Sequence, residues 1–240
     1  MGRIKAIFFD FMNTLFRFRD NEKTLIGSFL EKVSEFVNKR LGINISTEEL
    51  WDIFNKTVGF LETIRLSTLI DYPVEILVRT FTSRLGIFVE EDKKHIEDIY
   101  TTILADGVSP YSDVVGTLEY LKNSGYMVGL ISNVQQYRFV ETALKRNRLD
   151  TYFDAKVYSG IVGIRKPHPN IFKYAVNLLG IREDEAIMVG DSFVDDFYGA
   201  INAGLRPILL VRAEDKYRRY QTILRDESII MSLEELKKIL

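Results

Sequence analysis

Residues 4–9 (IKAIFF) are apolar except for one lysine, a short β-rich run bounded by polar residues, and they predict a buried strand. The rhythm then becomes helical for about ninety residues. Ile26, Phe29, Leu30, Val33, Phe36 and Val37 recur at intervals of mostly three and four. Ser46 and Glu49 form a capping-box signature ahead of Leu50, Trp51, Phe54 and Val58. Pro73 opens a third helix with Ile76, Leu77, Thr80, Phe81 and Leu85 on one face, and Ile96, Ile99, Tyr100, Ile103 and Leu104 mark a fourth. By this spacing Trp51 belongs to the core of the block rather than to a ligand platform.

After Pro110 helices and strands alternate. Residues 112–124 read as a helix ending before Gly125, and 127–132 (MVGLIS) as a strand. Further strands are predicted at 155–159, 186–190 and 207–211, and helices over VETALKRN, NIFKYAVNLLG and DDFYGAINAG; the chain closes with SIIM and SLEELKKIL. Alternation of this kind implies an α/β fold, a Rossmann-like parallel sheet covered by helices on both faces. The helical block interrupts it after the first strand. The expected organisation is an α/β core domain from residues 1–16 and 106–240, with an all-helical domain over 17–105 inserted into it.

Composition narrows the functional classes. The 240 residues carry 32 basic against 34 acidic side chains, a net charge of −2, which lacks the basic excess of a nucleic-acid footprint. Lys145, Arg146 and Arg148 form a short basic cluster at a predicted helix end, where cations complement the dipole. No run reaches the ~18 apolar residues of a membrane span, and no signal-peptide pattern opens the chain. With no cysteine there are no disulfides and no thiolate chemistry, so a soluble cytoplasmic protein without nucleic-acid or membrane partners is expected.

The candidate chemistry lies where strands end. In open α/β sheets ligands bind beyond the carboxyl ends of the strands. The first strand ends in Asp10, the second in Ser132 and Asn133, the fourth in Gly190, Asp191 and Ser192, and Lys166 follows the third in GIRKPHPNIF. Each alone is an ordinary turn or cap residue. Together they offer two carboxylates, a hydroxyl and an ammonium on one rim. A carboxylate can attack phosphorus or carbon once anionic repulsion is relieved, by a divalent cation or by a lysine. Asp10 and Asp191 suit Mg²⁺, a hard cation, while Ser132 and Lys166 suit a phosphoryl group.

These residues carry a resemblance to the haloacid dehalogenase-like (HAD) hydrolases, most of which are Mg²⁺-dependent phosphatases working through an aspartyl-phosphate. DFMNTL resembles the first motif, LISN the second, GIRKPHPNIF the third and VGDSFVDD the fourth, so the resemblance spans essentially the whole chain. The helical block resembles the family's cap domain. The resemblance implies that Asp10 is the nucleophile and a metal ligand, with Lys166 as its catalytic partner. Thr14, Ser132, Asn133 and Lys166 would bind phosphate. The metal would be held by Asp10, the backbone carbonyl of Met12 and Asp191, with Asp196 behind them, and the substrate would be a small phosphorylated molecule. Asp195, next to Asp196, reads instead as a helix-start residue.

Met12 departs from the family pattern, in which phosphatases place a second aspartate that protonates the leaving group. Methionine cannot, although it keeps the backbone carbonyl; as a side chain it reads simply as a filler of an apolar gap. General acid–base help is worth roughly 10²–10⁴-fold. Three readings follow: a phosphatase favouring good leaving groups such as aryl or acyl phosphates, a 2-haloacid dehalogenase, or a phosphate- or partner-binding protein that has lost turnover. Asp191 and Asp196 favour the first, because dehalogenases of this family are metal-free, have serine at the former position and carry an Arg-x-Lys-Gln stretch absent here. Asn13 is tolerated at positive φ, His168 adjoins a helix start, His95 reads as surface or packing, and Arg17 and Arg19 read as hinge or substrate-facing residues.

Overall fold

The computed structural model describes residues 3–240, the side chain of Glu227 excepted. Its strands are β1 (Ala6–Phe9), β2 (Phe16–Phe18), β3 (Val108–Pro110), β4 (Met127–Ser132), β5 (Ala155–Tyr158), β6 (Ala186–Gly190), β7 (Arg206–Leu210) and β8 (Ile229–Ile230). The helices are α1 (Glu22–Leu41), α2 (Thr47–Thr68), α3 (Val74–Arg84), α4 (Glu90–Asp106), α5 (Val114–Asn123), α6 (Tyr137–Arg146), α7 (Ser159–Val162), α8 (Pro169–Leu178), α9 (Gly199–Ala203), α10 (Glu214–Gln221) and α11 (Leu236–Ile239).

Six strands form one sheet in the order β5-β4-β1-β6-β7-β8, and every pairing in it is parallel. β1 is buried along its whole length, with Ile7 and Phe9 in the apolar cluster on one face and Ala6 and Phe8 in that on the other. Burial on both faces is why the sequence shows a continuous apolar run there instead of alternation. Strand order reverses between β1 and β6, so Asp10 and Asp191 emerge side by side where a doubly wound sheet opens its crevice.

The chain leaves this unit through β2 and returns through β3, which pair antiparallel, Phe16 opposite Pro110 and Phe18 opposite Val108. Between them α1–α4 enclose their own apolar cluster, centred on Phe29, Leu30, Phe54 and Phe81. The Ser46–Glu49 capping box forms, with Ser46 Oγ accepting from the Glu49 amide at 3.2 Å and Glu49 Oε2 accepting from the Ser46 amide at 2.9 Å. Arg19 braces the crossing, its Nε donating to the Val108 carbonyl at 3.1 Å. At the end of α6, Arg146 is paired with Asp106.

Several local expectations shift. β1 begins at Ala6, two residues later than the apolar run. α3 buries Val74, Leu77, Val78, Phe81 and Thr82, while Ile76 turns to solvent, because Pro73 caps the helix from outside and Val74 and Val78 carry the stripe around. β2 and β3 are three residues each, too short to announce a period. α10 buries none of its residues and so leaves no apolar pattern to read. The predicted helix over DDFYGAINAG starts earlier, as a π-helical turn (Phe193–Tyr198) before α9.

Asp113 ties the far side together. Its carboxylate takes both terminal nitrogens of Arg212 at 2.9 and 3.1 Å, and the Ser232 hydroxyl and Leu233 amide at 3.0 Å each. Arg212 stacks 3.8 Å over the Tyr111 ring and donates to the Thr14 carbonyl, joining the loop after β1 to the end of β7 and to the C-terminal segment. Burial alone would raise the Asp113 pKa, but Arg212 and the Leu233 amide outweigh it and hold the carboxyl below its ordinary value. Asp113→Ala should therefore destabilise the protein by roughly 2–4 kcal/mol near neutral pH in urea denaturation. The carboxylate's contribution is complete above about pH 4 and is lost as acid protonates it, so the difference between wild type and variant should shrink below that.

Candidate functional site

A buried lysine organises the crevice. Lys166 is 1% exposed, and its ammonium donates to Asp10 Oδ1 at 2.6 Å, Asp196 Oδ1 at 2.6 Å and the Ile131 carbonyl at 2.7 Å, which uses all three of its protons. Its backbone is held from the other side by Asn133, whose Oδ1 accepts from the Lys166 amide at 2.8 Å while Nδ2 donates to the Lys166 carbonyl at 3.0 Å. Asp196 is locked in turn, its Oδ2 accepting from the Ser192 amide at 3.0 Å. Gly190 makes room for it: a Cβ there would fall 2.2 Å from Asp196 Cγ, so the π-helical turn closes on the end of β6 only if residue 190 has no side chain.

Oxygens of Asp10, Asp191 and Asp196 lie within 4.8 Å of one another. Burial pushes the Asp10 pKa up to about 7; Lys166 opposes the shift and Asp196 adds to it. Asp191 opens to solvent on one side and is enclosed by protein on the other, and that enclosure, with Asp196, raises its pKa to about 6. Lys166 is shifted above its ordinary value: burial disfavours its charge, but Asp10 and Asp196 outweigh burial. Three carboxylates thus face one ammonium. As hard oxygen donors that are short of positive charge, they fit a divalent cation such as Mg²⁺.

The crevice over these groups is a cavity of about 290 Å³, lined by Asp10, Met12, Asn13, Asn133, Lys166 and Asp191 among others. Met12 and Asn133 also line a second cavity, of about 950 Å³, between the sheet unit and the helical block. Thr14 and Ser132 line neither. Thr14, expected to bind phosphate, is fully buried, and its hydroxyl has no hydrogen-bond partner. Ser132 lies at the end of β4, 4% exposed, one residue beyond the carbonyl that Lys166 holds. Asn133, expected to bind phosphate, spends its carboxamide on Lys166 and, at 3.4 Å, on Asp195.

Two residues carry more than their sequence positions suggested. Asn13 has φ 58°, and its side chain also hydrogen-bonds Asp191. Arg165 lines the smaller cavity, and its Nη1 is buried without a hydrogen-bond partner; the only signal was an arginine directly before the motif lysine. Among the others, Asp195 takes its amide to Ser192 Oγ at 3.0 Å, as a helix-start residue does. His168 caps α8 through Nδ1, and His95 packs on the Phe36 ring.

The model of the haloacid dehalogenase-like hydrolases matches residues 7–210. The chain belongs to that family. A glyceraldehyde 3-phosphate phosphatase from Methanothermobacter thermautotrophicus is 27% identical over 247 residues, covering 99% of this chain and 100% of that protein. One of the same name from Pyrococcus furiosus is 39% identical over 104 residues, a match that spans only 43% of this chain and 41% of that protein. The crystal structure of a HAD phosphatase from Thermococcus onnurineus superposes with a TM-score of 0.67 at 28% identity, covering 98% of this chain and 97% of the other.

In this HAD hydrolase the segment carrying Lys166 is also latched to the helical block. Asp71, between α2 and α3, accepts from the Ser159 hydroxyl at 2.6 Å and lies 3.2 Å from Arg65 Nε. Ile70 bridges Ile164, and the Arg165 amide donates to the Leu69 carbonyl at 3.1 Å. The Asp71 side chain is wholly buried, so Asp71→Ala should cost about 3 kcal/mol by leaving the Arg65 charge short of a partner. Hydrogen exchange should quicken at the amides of Asp71 and Arg165, while amides in the middle of β1 keep their protection; unchanged exchange at both latch amides would tell against this coupling.

Proposed function

We propose that this hydrolase is a Mg²⁺-dependent phosphatase acting on a small phosphorylated molecule through an aspartyl-phosphate on Asp10. The observation that carries the reading is the cluster of Asp10, Asp191 and Asp196 around one buried ammonium. Asp10, Asp191 and the backbone carbonyl of Met12 would hold the cation, with Asp196 behind them. When bound, Mg²⁺ would neutralise phosphoryl charge and relieve the repulsion between substrate and nucleophile. The relatives named phosphatases support the same reaction class, and the aspartate at 191 speaks against dehalogenation.

Asp10 supplies the attacking oxygen. The Lys166 ammonium donates to its Oδ1, which fixes the rotamer and opposes the rise in pKa that burial causes. As the phosphoryl group transfers, negative charge spreads over its outer oxygens. Lys166 would meet that charge, with Arg165, whose buried Nη1 has no hydrogen-bond partner, as a further donor on the crevice wall and Ser132 as the donor expected at the end of β4. The cap and the sheet unit enclose the substrate body. Met12 stands at the junction of the two cavities, where the leaving group would depart, and has no proton to give.

Asp10→Asn should abolish phosphate release while leaving the circular dichroism spectrum unchanged, and beryllofluoride with Mg²⁺ should raise the melting temperature of wild type but not of the variant. Full activity in Asp10→Asn would refute the covalent mechanism. Mg²⁺ alone should bind wild type in calorimetry and bind Asp191→Asn at least about 10-fold more weakly.

Met12 gives a separate test. Wild-type rates should fall steeply as leaving-group pKa rises. Met12→Asp should speed alkyl phosphate hydrolysis by about 10-fold or more and flatten that dependence. Equal slopes of log rate against leaving-group pKa in the two proteins would remove the missing general acid from the account.

A further inference from the structure

The cavity of about 950 Å³ is more than three times the volume of the crevice over the carboxylates, and it sits at the upper end of the range that holds drug-sized ligands. Six aromatic rings line it, from Phe18, Trp51, Phe54, Tyr72, Tyr100 and Phe139. They come from β2, α2, the α2–α3 loop, α4 and α6, so the wall is built jointly by the helical block and the sheet unit. Trp51 is the only tryptophan in the chain. Its periodicity assigned it to the core of the helical block, and the structure has it half-buried, packed on that core and lining the cavity at once.

Several of the polar groups on the wall are spent on other parts of the protein, Gln135 being an exception. Arg65 is paired with Glu62 and Asp71. The Gln136 carboxamide donates to Glu97 at 3.4 Å and accepts from the Arg138 amide at 3.3 Å. Asn133 is committed to Lys166. Glu22, Lys23 and Asn55 are exposed residues. Against the six rings a compact polyhydroxylated substrate would lose water hydrogen bonds without replacement, whereas an apolar ring would lose none.

We infer that the preferred substrate is a phosphate monoester whose alcohol part is a large, ring-bearing apolar group, its phosphate over Asp10 and its ring among Trp51, Phe54 and Tyr100. This rests on the phosphatase reading for the reaction and on the chamber for the substrate class. Met12 and Asn133 line both cavities, so the two adjoin at these residues, where the ester oxygen would lie. An aryloxide leaving group also suits a site whose nearest side chain at that point is a thioether, because it departs without being protonated.

The test compares kcat/KM for phenyl phosphate, 1-naphthyl phosphate and glyceraldehyde 3-phosphate with Mg²⁺, the two aryl esters having leaving groups of similar acidity. Alongside, calorimetry measures binding of naphthylmethylphosphonate and of methylphosphonate, neither of which turns over. The second ring should raise kcat/KM by about 10-fold or more over phenyl phosphate, and the naphthyl phosphonate should bind at least about 10-fold more tightly than the methyl one. Val58→Trp, which places bulk on the chamber wall, should bring both ratios towards one in a protein shown to be folded by its unchanged melting cooperativity. Phosphate release without a naphthyl preference, or with glyceraldehyde 3-phosphate preferred, would overturn the inference and leave the phosphatase reading standing. Tight naphthyl binding with no release from any ester would uphold the apolar site and overturn the phosphatase reading instead.

Discussion

The Lys166 ammonium is the interaction on which the rest of the site depends. It lies 156 residues along the chain from Asp10 and 30 from Asp196, yet donates to both at 2.6 Å with almost no solvent contact. A buried charge of this kind is tolerable only when every proton has a partner and the counter-charges are fixed in place. Much of the surrounding structure serves that requirement. Asn133 holds the lysine backbone, the Ser192 amide holds Asp196, and the absent side chain at Gly190 lets Asp196 approach. Removing any of these loosens the positions of the lysine or of Asp196, on which the pairing of the buried charge depends.

The same constraint explains the electrostatic imbalance of the crevice. Burial raises the Asp10 and Asp191 pKa values to about 7 and about 6, and Asp196 adds to the rise that the single ammonium opposes. A fold that keeps such a cluster together stores a demand for positive charge, which a divalent cation would meet. Arg165, with a buried unpartnered nitrogen on the wall of the crevice, is a second source of positive charge that the substrate would encounter.

Chemistry and selectivity are carried by different parts of the chain. The sheet unit supplies the charged groups of the crevice, at or just after the C-terminal ends of β1 and β6 and in the loop after β5. The helical block supplies most of the rings on the larger cavity, and it is tied to the sheet unit through the β2–β3 ribbon and through Asp71, whose partner Ser159 begins the segment leading to Lys166. A change in how the block sits would therefore reach the lysine as well as the substrate chamber.

The sequence by itself determined the α/β alternation, the buried first strand and the helical block after it, since these rest on local periodicity and on caps such as Ser46–Glu49. It also marked Asp10 and Asp191, because a polar residue directly after an apolar strand of a parallel sheet has to lie on the rim; Lys166 was marked by its place in the loop after the third strand, and Asp196 by the resemblance of its motif to the family's. Tertiary structure alone decided what those residues do to one another. Nothing local told that Asn133 would be spent on the Lys166 backbone, that Thr14 would be buried away from the crevice, or that Asn13 would reach Asp191. Trp51 shows the limit most clearly. Helical spacing identifies the face a residue presents, but a face becomes a cavity wall only when a separate part of the chain stands opposite it without filling the space, and that is fixed by packing between segments distant in sequence.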